Sequence, residues 1–207
     1  MGRIDGAKPN GANELIIHSL RLVYSYICSR YSTKDVTDIC NEIKIIARIK
    51  DYDFTSGEEN DHGYNYTKIQ ETLSKINEKE SIRKSKGVYY TPNDVVRFIL
   101  TNSVKALFGK LTENNVSDIE LRSIPYRSFC CTKTVFDPTC GAGEYLLAAL
   151  EMKLSLLKQH KKALSKTEIV EVVSTIYGND VNLDSVIITE LRLLLCVAEY
   201  IAAVWAK

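Results

Sequence analysis

The sequence has little proline or glycine and no excess of one charge. With 4 Pro, 10 Gly and a 45% hydrophobic fraction among 207 residues, the chain is neither collagen-like nor disordered, and its length suits one globular domain with a modest extension. The 27 basic and 26 acidic residues leave a net charge of +1. A histone-like or ribosomal protein is therefore excluded, and contact with nucleic acid must be local or come from a partner.

Patterns for metal binding, secretion and membrane insertion are also missing. None of the six cysteines belongs to a C-x-x-C pair or lies near His18, His62 or His160, so we expect no metal. The first fourteen residues lack the apolar core of a signal peptide, which predicts a cytoplasmic protein with reduced thiols. The apolar stretch 186–206 contains three charged residues that are costly inside a bilayer, and we expect a buried helix there.

Hydrophobic periodicity predicts an N-terminal helical region over residues 1–80, followed by an α/β unit over residues 81–207. The first region would contain a flexible leader over 1–12, helices over 13–32 and 33–50, and a charged segment over 67–84. The second would contain a helix from Pro92, a loop with Pro125, a strand over 133–137, helices over 144–159 and 166–174, a strand over 175–180 and a long apolar helix. A strand, glycine turn, helix, strand and helix in this order open a doubly wound sheet.

The segment D-P-T-C-G-A-G-E at residues 137–144 is the central candidate site. Gly141 and Gly143 would let the backbone approach a ligand closely, and the following helix start offers N–H groups. NAD, a nucleotide or S-adenosylmethionine would fit, but a third glycine and a G-K-[ST] motif are absent. Asp137 and Glu144 would repel a pyrophosphate and attract an ammonium or sulfonium, which favours S-adenosylmethionine. The alternative is a glycine turn that only reverses the chain.

Two further elements each have a structural and a functional interpretation. Asp180 follows the second strand, where a carboxylate either caps the next helix or accepts hydrogen bonds from both ribose hydroxyls. Thr91 and Pro92 form a helix start with Asp94 three residues after the threonine. The same N–H groups and the threonine hydroxyl would also hold a carboxylate.

Three motifs then occur in order over residues 87–195: G-V-Y-Y-T-P, D-P-T-C-G-A-G-E-Y-L, and I-Y-G-N-D followed by a helix with L-R-L. Together they resemble the cofactor half of the DNA adenine-N6 methyltransferases of restriction-modification systems, above all type I modification subunits and the methylase portion of type IIG enzymes. The resemblance implies a partial Rossmann-like fold that binds S-adenosylmethionine. The implied cofactor residues are Tyr90, Thr91, Pro92, Asp137, Pro138, Thr139, Cys140, Gly141, Gly143 and Asp180.

The resemblance also assigns roles to these residues. It implies that Thr91 contacts the cofactor carboxylate, that Asp137 and the turn 140–143 hold the methionine portion, and that Asp180 takes the ribose hydroxyls. Ala142 stands where the family usually has serine. The catalytic [NDS]-P-P-[YF] motif, which binds the flipped adenine, is absent, since the only prolines are Pro9, Pro92, Pro125 and Pro138. We therefore expect a cofactor site without catalytic residues.

Packing considerations suggest that these residues are the front part of a larger or split enzyme. Two parallel strands make no stable core, and an open strand edge must be covered. A second polypeptide, a missing downstream region or self-association would cover it, and DNA would be bound by the complete enzyme. The basic residues Lys79, Arg83, Lys84 and Lys86 could touch phosphates, although a solvated helix face is the favoured interpretation. The alternative function is a non-catalytic or degenerate methyltransferase fragment that acts as a protein-interaction module.

Overall fold

The structure, a computed structural model, describes residues 14–31, 41–46, 65–76, 91–108, 125–161 and 163–205, with side chains up to residue 200. These parts of the chain are mostly helical and contain one small sheet, a mixed α/β arrangement. The elements are α1 (Glu14–Cys28), α2 (Tyr66–Lys75), α3 (Asn93–Phe108), α4 (Tyr126–Thr132), β1 (Val135–Asp137), α5 (Glu144–His160), α6 (Lys166–Val173), β2 (Ile176–Gly178) and α7 (Leu183–Trp205). Residues 41–46 are helical as well.

The sheet consists of β1 and β2, which pair in parallel with Phe136 opposite Tyr177. The chain crosses from one strand to the other through α5 and α6, as parallel strands require. Beyond the strands the pairing continues, because Asn179 N–H donates to Asp137 O at 2.9 Å and Cys140 N–H donates to Asn179 O at 2.8 Å. The two carboxyl ends therefore lie at the same edge, with the glycine turn beside residues 179–180.

The predicted order of strand, helix, helix, strand and helix is confirmed, but each strand has three residues and is shorter than expected. One prediction is wrong: residues 126–132, expected to be part of a loop, form α4. Pro125 precedes the helix, and its carbonyl accepts from Phe129 N–H at 3.1 Å. The helix buries Phe129 and Cys130. Seven residues are too few for a helical period to stand out in a sequence.

Several predictions lie outside the described residues. They concern the leader over 1–12, most of the second expected helix over 33–50, and the basic cluster over 79–86. The proposed boundary at residue 80 also falls there and stays a prediction.

Helix α7 separates two apolar clusters, which confirms that it is buried on both sides. The first cluster joins it to α1, α2 and residue 43: Ile16, Leu20, Leu22, Val23, Tyr26, Ile27, Ile43, Ile69, Leu73, Ile187, Ile188, Leu191 and Leu195. The second lies against α3 to α6: Val104, Phe129, Cys130, Leu147, Leu150, Leu154, Leu156, Leu157, Leu164, Ile169, Val172 and Cys196. Within the described part of the chain, no helix is long and apolar enough to cross a bilayer.

A buried lysine holds the amino ends of the two strands together. Lys153 of α5 is fully buried, and its Nζ donates to the Lys133 carbonyl and to Thr175 Oγ1, each at 2.5 Å. Lys133 precedes β1 and Thr175 precedes β2. Burial lowers the pKa of Lys153 from 10.5 to about 8, because the interior disfavours the charged form.

We expect Lys153→Met to lower the free energy of unfolding by about 1–3 kcal/mol, because it leaves the buried Thr175 hydroxyl oxygen and the part-buried Lys133 carbonyl without this donor. Between pH 8 and 10.5 the unfolded chain binds more protons at Lys153 than the folded chain, so this residue adds stability as the pH rises through that window. Urea unfolding measures the difference in free energy of unfolding between the wild type and Lys153→Met. We expect this difference to be larger at about pH 9 than at about pH 7 by about 1 kcal/mol in favour of the wild type.

The control is Lys158→Met, which changes an exposed lysine on the same helix. It should leave both the stability and its pH dependence close to those of the wild type. If the stability of the wild type and of Lys153→Met depended on pH in the same way, Lys153 could not be a buried amine with a lowered pKa.

Candidate functional site

The glycine turn between β1 and α5 has two glycines in left-handed conformations, Gly141 at φ +53° and Gly143 at φ +83°. They serve different purposes. A Cβ atom on Gly143 would lie 2.6 Å from Thr189 Cγ2 of α7, whereas a Cβ on Gly141 would meet nothing within 4 Å. Gly143 is therefore required for packing against α7, and Gly141 borders open space where a ligand can approach.

Hydrogen bonds from β2 and α7 fix the turn. The Gly141 N–H donates to Asp180 Oδ2 at 2.9 Å, and Thr189 Oγ1 donates to the Gly141 carbonyl at 2.8 Å. Within the turn, Gly143 N–H donates to the Cys140 carbonyl at 2.7 Å. The structure thus brings Asp180 to the glycine turn, as the sequence predicts, although 39 residues separate it from Gly141.

Asp180 keeps acceptor capacity for a ligand. Its Oδ1 accepts from Asn182 N–H at 2.8 Å and its Oδ2 from Gly141 N–H. An ionised carboxylate offers about four lone-pair positions, so each oxygen can accept one more hydrogen bond. The side chain is half-buried, which leaves it accessible to a ligand with two neighbouring hydroxyl groups.

Asp137 supplies the second carboxylate at this edge. It is half-buried, and its Oδ1 accepts from Thr139 N–H at 3.1 Å. Neither Asp137 nor Asp180 forms an ion pair with another residue that the structure describes. Pro138 and Thr139 are exposed beside them. The edge is therefore negatively charged, which favours a cationic ligand group and disfavours a pyrophosphate.

Glu144 does not contribute to this negative charge, which corrects the sequence-based expectation. Its Oε1 lies 2.5 Å from Arg192 Nη1 of α7, and the same nitrogen donates to the Ala142 carbonyl at 2.5 Å. Arg192 is only 3% exposed. The charge of Glu144 is thus balanced inside the protein, and the electrostatic argument for a cationic ligand rests on Asp137 and Asp180.

Cys140 is a packing residue of the turn. It is buried, and a Cβ atom added to Gly178 would lie 3.2 Å from its Cβ and Sγ. Burial raises the pKa of the Cys140 thiol, the Thr189 hydrogen bond opposes this, and the negative charges of Asp180 and Asp137 raise the pKa further. The thiol is therefore protonated at neutral pH and does not act as a nucleophile.

The threonine-proline motif lies at the start of α3. Thr91 is half-buried and Pro92 exposed, and the Pro92 carbonyl accepts from Val96 N–H at 3.1 Å. Among the residues described, no hydrogen bond joins Thr91 to the glycine turn or to Asp180. Tyr90 lies outside the described residues, so a cofactor role for Tyr90, Thr91 and Pro92 stays a prediction.

Comparison with known proteins finds a distant relative of this chain. The chain is 24% identical over 166 residues to a protein of Methanocaldococcus jannaschii named as a candidate type II restriction enzyme and methyltransferase. The match covers 66% of this chain but 14% of the relative's length. No protein-family profile matches the chain, and no solved structure matches it. The name of this relative thus supports the resemblance to restriction-modification methyltransferases. It does not say which base is methylated.

We expect Gly143→Ala to destabilise the protein more than Gly141→Ala. Both substitutions place a side chain at positive φ, which costs about 1–2 kcal/mol, but only Gly143→Ala adds a clash with Thr189, worth about 1–3 kcal/mol more. Urea unfolding of the two variants measures the difference.

The double variant Gly143→Ala/Thr189→Ala, compared with Thr189→Ala alone, tests the cause. Removing the Thr189 Oγ1 and Cγ2 atoms should recover part of the lost stability. If both glycine substitutions lowered the free energy of unfolding equally, a Cβ atom at position 143 would not clash with Thr189 of α7.

Proposed function

We propose that this chain is the S-adenosylmethionine-binding part of a DNA adenine-N6 methyltransferase from a restriction-modification system, built on a partial Rossmann-like fold. The observation that carries the proposal is the Asp180 carboxylate bonded to the Gly141 amide at the carboxyl edge of two parallel strands. In open α/β sheets, ligands bind at this edge. The similarity to a protein named as a restriction enzyme and methyltransferase supports the same function.

The proposed roles follow the chemistry of the site. Asp180 has one remaining acceptor position on each oxygen, which suits the two ribose hydroxyls. Asp137 attracts the ammonium group of the methionine portion, and the turn 140–143 lines the path between them, with open space beside Gly141. Thr91 would hold the carboxylate from the start of α3. Tyr90, Pro92, Pro138 and Thr139 would complete the walls of the site.

S-adenosylmethionine held by Asp137, the turn 140–143 and Asp180 would supply the methyl group for transfer to the adenine amino nitrogen. Residues of this chain hold the cofactor but do not bind the flipped base, because the [NDS]-P-P-[YF] motif is absent from the sequence. Cys140 is a buried, protonated thiol and offers no covalent route. We infer that the base-binding residues come from further polypeptide, which would also carry most of the DNA contacts.

An apolar sheet face suggests where that polypeptide packs. Phe136 and Tyr177 lie opposite one another in the parallel register and are 62% and 53% exposed. Their face points away from α5, and no described element covers it or pairs with the outer edges of β1 and β2. Parallel sheets are normally covered on both faces. A continuation of the chain, a second polypeptide or a second copy would bury this face.

Titration calorimetry with S-adenosylmethionine tests the cofactor site. We expect the wild-type chain to bind and Asp180→Ala to bind at least about tenfold more weakly, because it loses two hydrogen bonds to a charged group. Glu171→Ala is the matched control, since it removes a half-buried carboxylate of α6 that pairs with Arg127. It should bind like the wild type.

Two results would contradict the assignment: no binding by the wild-type chain, or equal affinity of the wild type and Asp180→Ala. The first result would favour the alternative function, a degenerate methyltransferase fragment that acts as a protein-interaction module. The melting temperature of each variant identifies a loss of binding that is due to unfolding.

A methyl-transfer assay tests whether this chain needs base-binding residues from another polypeptide. With radiolabelled S-adenosylmethionine and DNA, the chain alone should transfer no methyl groups, because the base-binding motif is absent. Transfer should begin when a polypeptide carrying an N-P-P-Y-type motif is added and buries the Phe136 and Tyr177 face. Methylation of adenine by the purified chain alone would mean that base-binding residues exist within these 207 residues.

A further inference from the structure

Arg192 and Gln70 form a buried, reciprocal pair between α7 and α2. Arg192 Nε donates to Gln70 Oε1 at 3.1 Å, and Gln70 Nε2 donates back to the Arg192 carbonyl at 3.0 Å. The two residues are 3% and 6% exposed. Because both groups of the Gln70 amide are engaged, the amide has a fixed orientation and in turn fixes the direction of the guanidinium.

The other side of the guanidinium holds the glycine turn. Arg192 Nη1 donates to the Ala142 carbonyl and to Glu144 Oε1, each at 2.5 Å. One turn earlier on α7, Thr189 Oγ1 donates to the Gly141 carbonyl. Helix α7 thus binds two successive carbonyls of the turn.

This arrangement decides which way the backbone donors of the turn face. A trans peptide directs its N–H opposite to its C=O, and the described residues contain no cis peptide. With the Gly141 carbonyl held by Thr189 of α7, the Ala142 N–H points away from α7. Loss of the Ala142 and Gly141 anchors would allow these peptides to rotate.

We propose that Arg192 is a positioning residue for the glycine turn, and that the docking of α2 through Gln70 sets the conformation of the cofactor loop. The identity of the ligand rests on the function proposed above. A buried guanidinium depends on all its partners, because removing one leaves an unpaired buried group. Helix α2 therefore acts on the turn through the Gln70–Arg192 pair.

A second link between the N-terminal helices and α7 provides a matched control. Tyr26 Oη of α1 donates to Glu199 at 2.6 Å, and Tyr26 is buried like Gln70. Glu199 lies about two helical turns beyond Arg192 and makes no described contact with the glycine turn. Gln70→Met removes the two hydrogen bonds of the buried pair. Tyr26→Phe removes one hydrogen bond to α7, and Tyr31 Oη still donates to Glu199. Only Gln70→Met touches the proposed network.

Amide hydrogen exchange of residues 141–146 gives a measurement that needs no cofactor. We expect Gln70→Met, which removes both hydrogen bonds of the pair, to increase exchange of this segment at least about fivefold, and Tyr26→Phe to leave it unchanged. Exchange is compared at one temperature and pH, and the opening free energy of this segment is compared with that of the slowest-exchanging amides of each variant, which report global unfolding. Arg192→Lys should resemble Gln70→Met, because an ammonium lacks the planar fork of the guanidinium.

Calorimetry then connects the loop to the ligand: Gln70→Met should weaken S-adenosylmethionine binding about fivefold relative to Tyr26→Phe. Equal exchange of the turn in Gln70→Met and Tyr26→Phe would overturn the inference, as would faster exchange with unchanged affinity. If the wild type binds no S-adenosylmethionine but Gln70→Met alone loosens the turn, the proposed function fails and the coupling between α2 and the turn stands.

Discussion

Gly143 lies so close to Thr189 that a hydrogen atom is the largest side chain that fits between the turn and α7. This contact sets the distance between the start of α5 and the middle of α7. It also brings the Gly141 and Ala142 carbonyls within reach of donors on α7. No side chain caps the first turn of α5, so stabilisation of the turn comes from α7 and from the end of β2. The rest of the site is arranged around this close contact between Gly143 and Thr189.

The small sheet has opposite charges at the amino ends and at the carboxyl ends of its two strands. Lys153 is buried at the amino edge and bridges the approaches to both strands. Asp137 and Asp180 lie at the carboxyl edge beside the glycine turn. Since Arg192 balances Glu144 rather than these two aspartates, the edge retains its negative charge. A ligand with a positive group and hydroxyls suits this edge better than a polyphosphate.

The proximity of Asp180 to Gly141 could be predicted from the sequence, because parallel strands place their carboxyl ends at one edge whatever the length of the crossover. The roles of Lys153 and Arg192 could not. Each is a charged residue within a helical pattern, where it reads as a surface position or an interruption. Only the packing of α5 and α7 against other elements reveals that both are buried. The different purposes of the two glycines likewise depend on which one faces Thr189.

The Gln70–Arg192 pair bears on how the protein melts. A chain that started at residue 81 would lack Gln70, and the buried guanidinium would lose the partner that orients it. The first apolar cluster would also lose its α1 and α2 side, exposing Ile188, Leu191 and Leu195 of α7. We therefore expect the N-terminal helices and the glycine turn, which are both held by α7, to lose their structure together on heating.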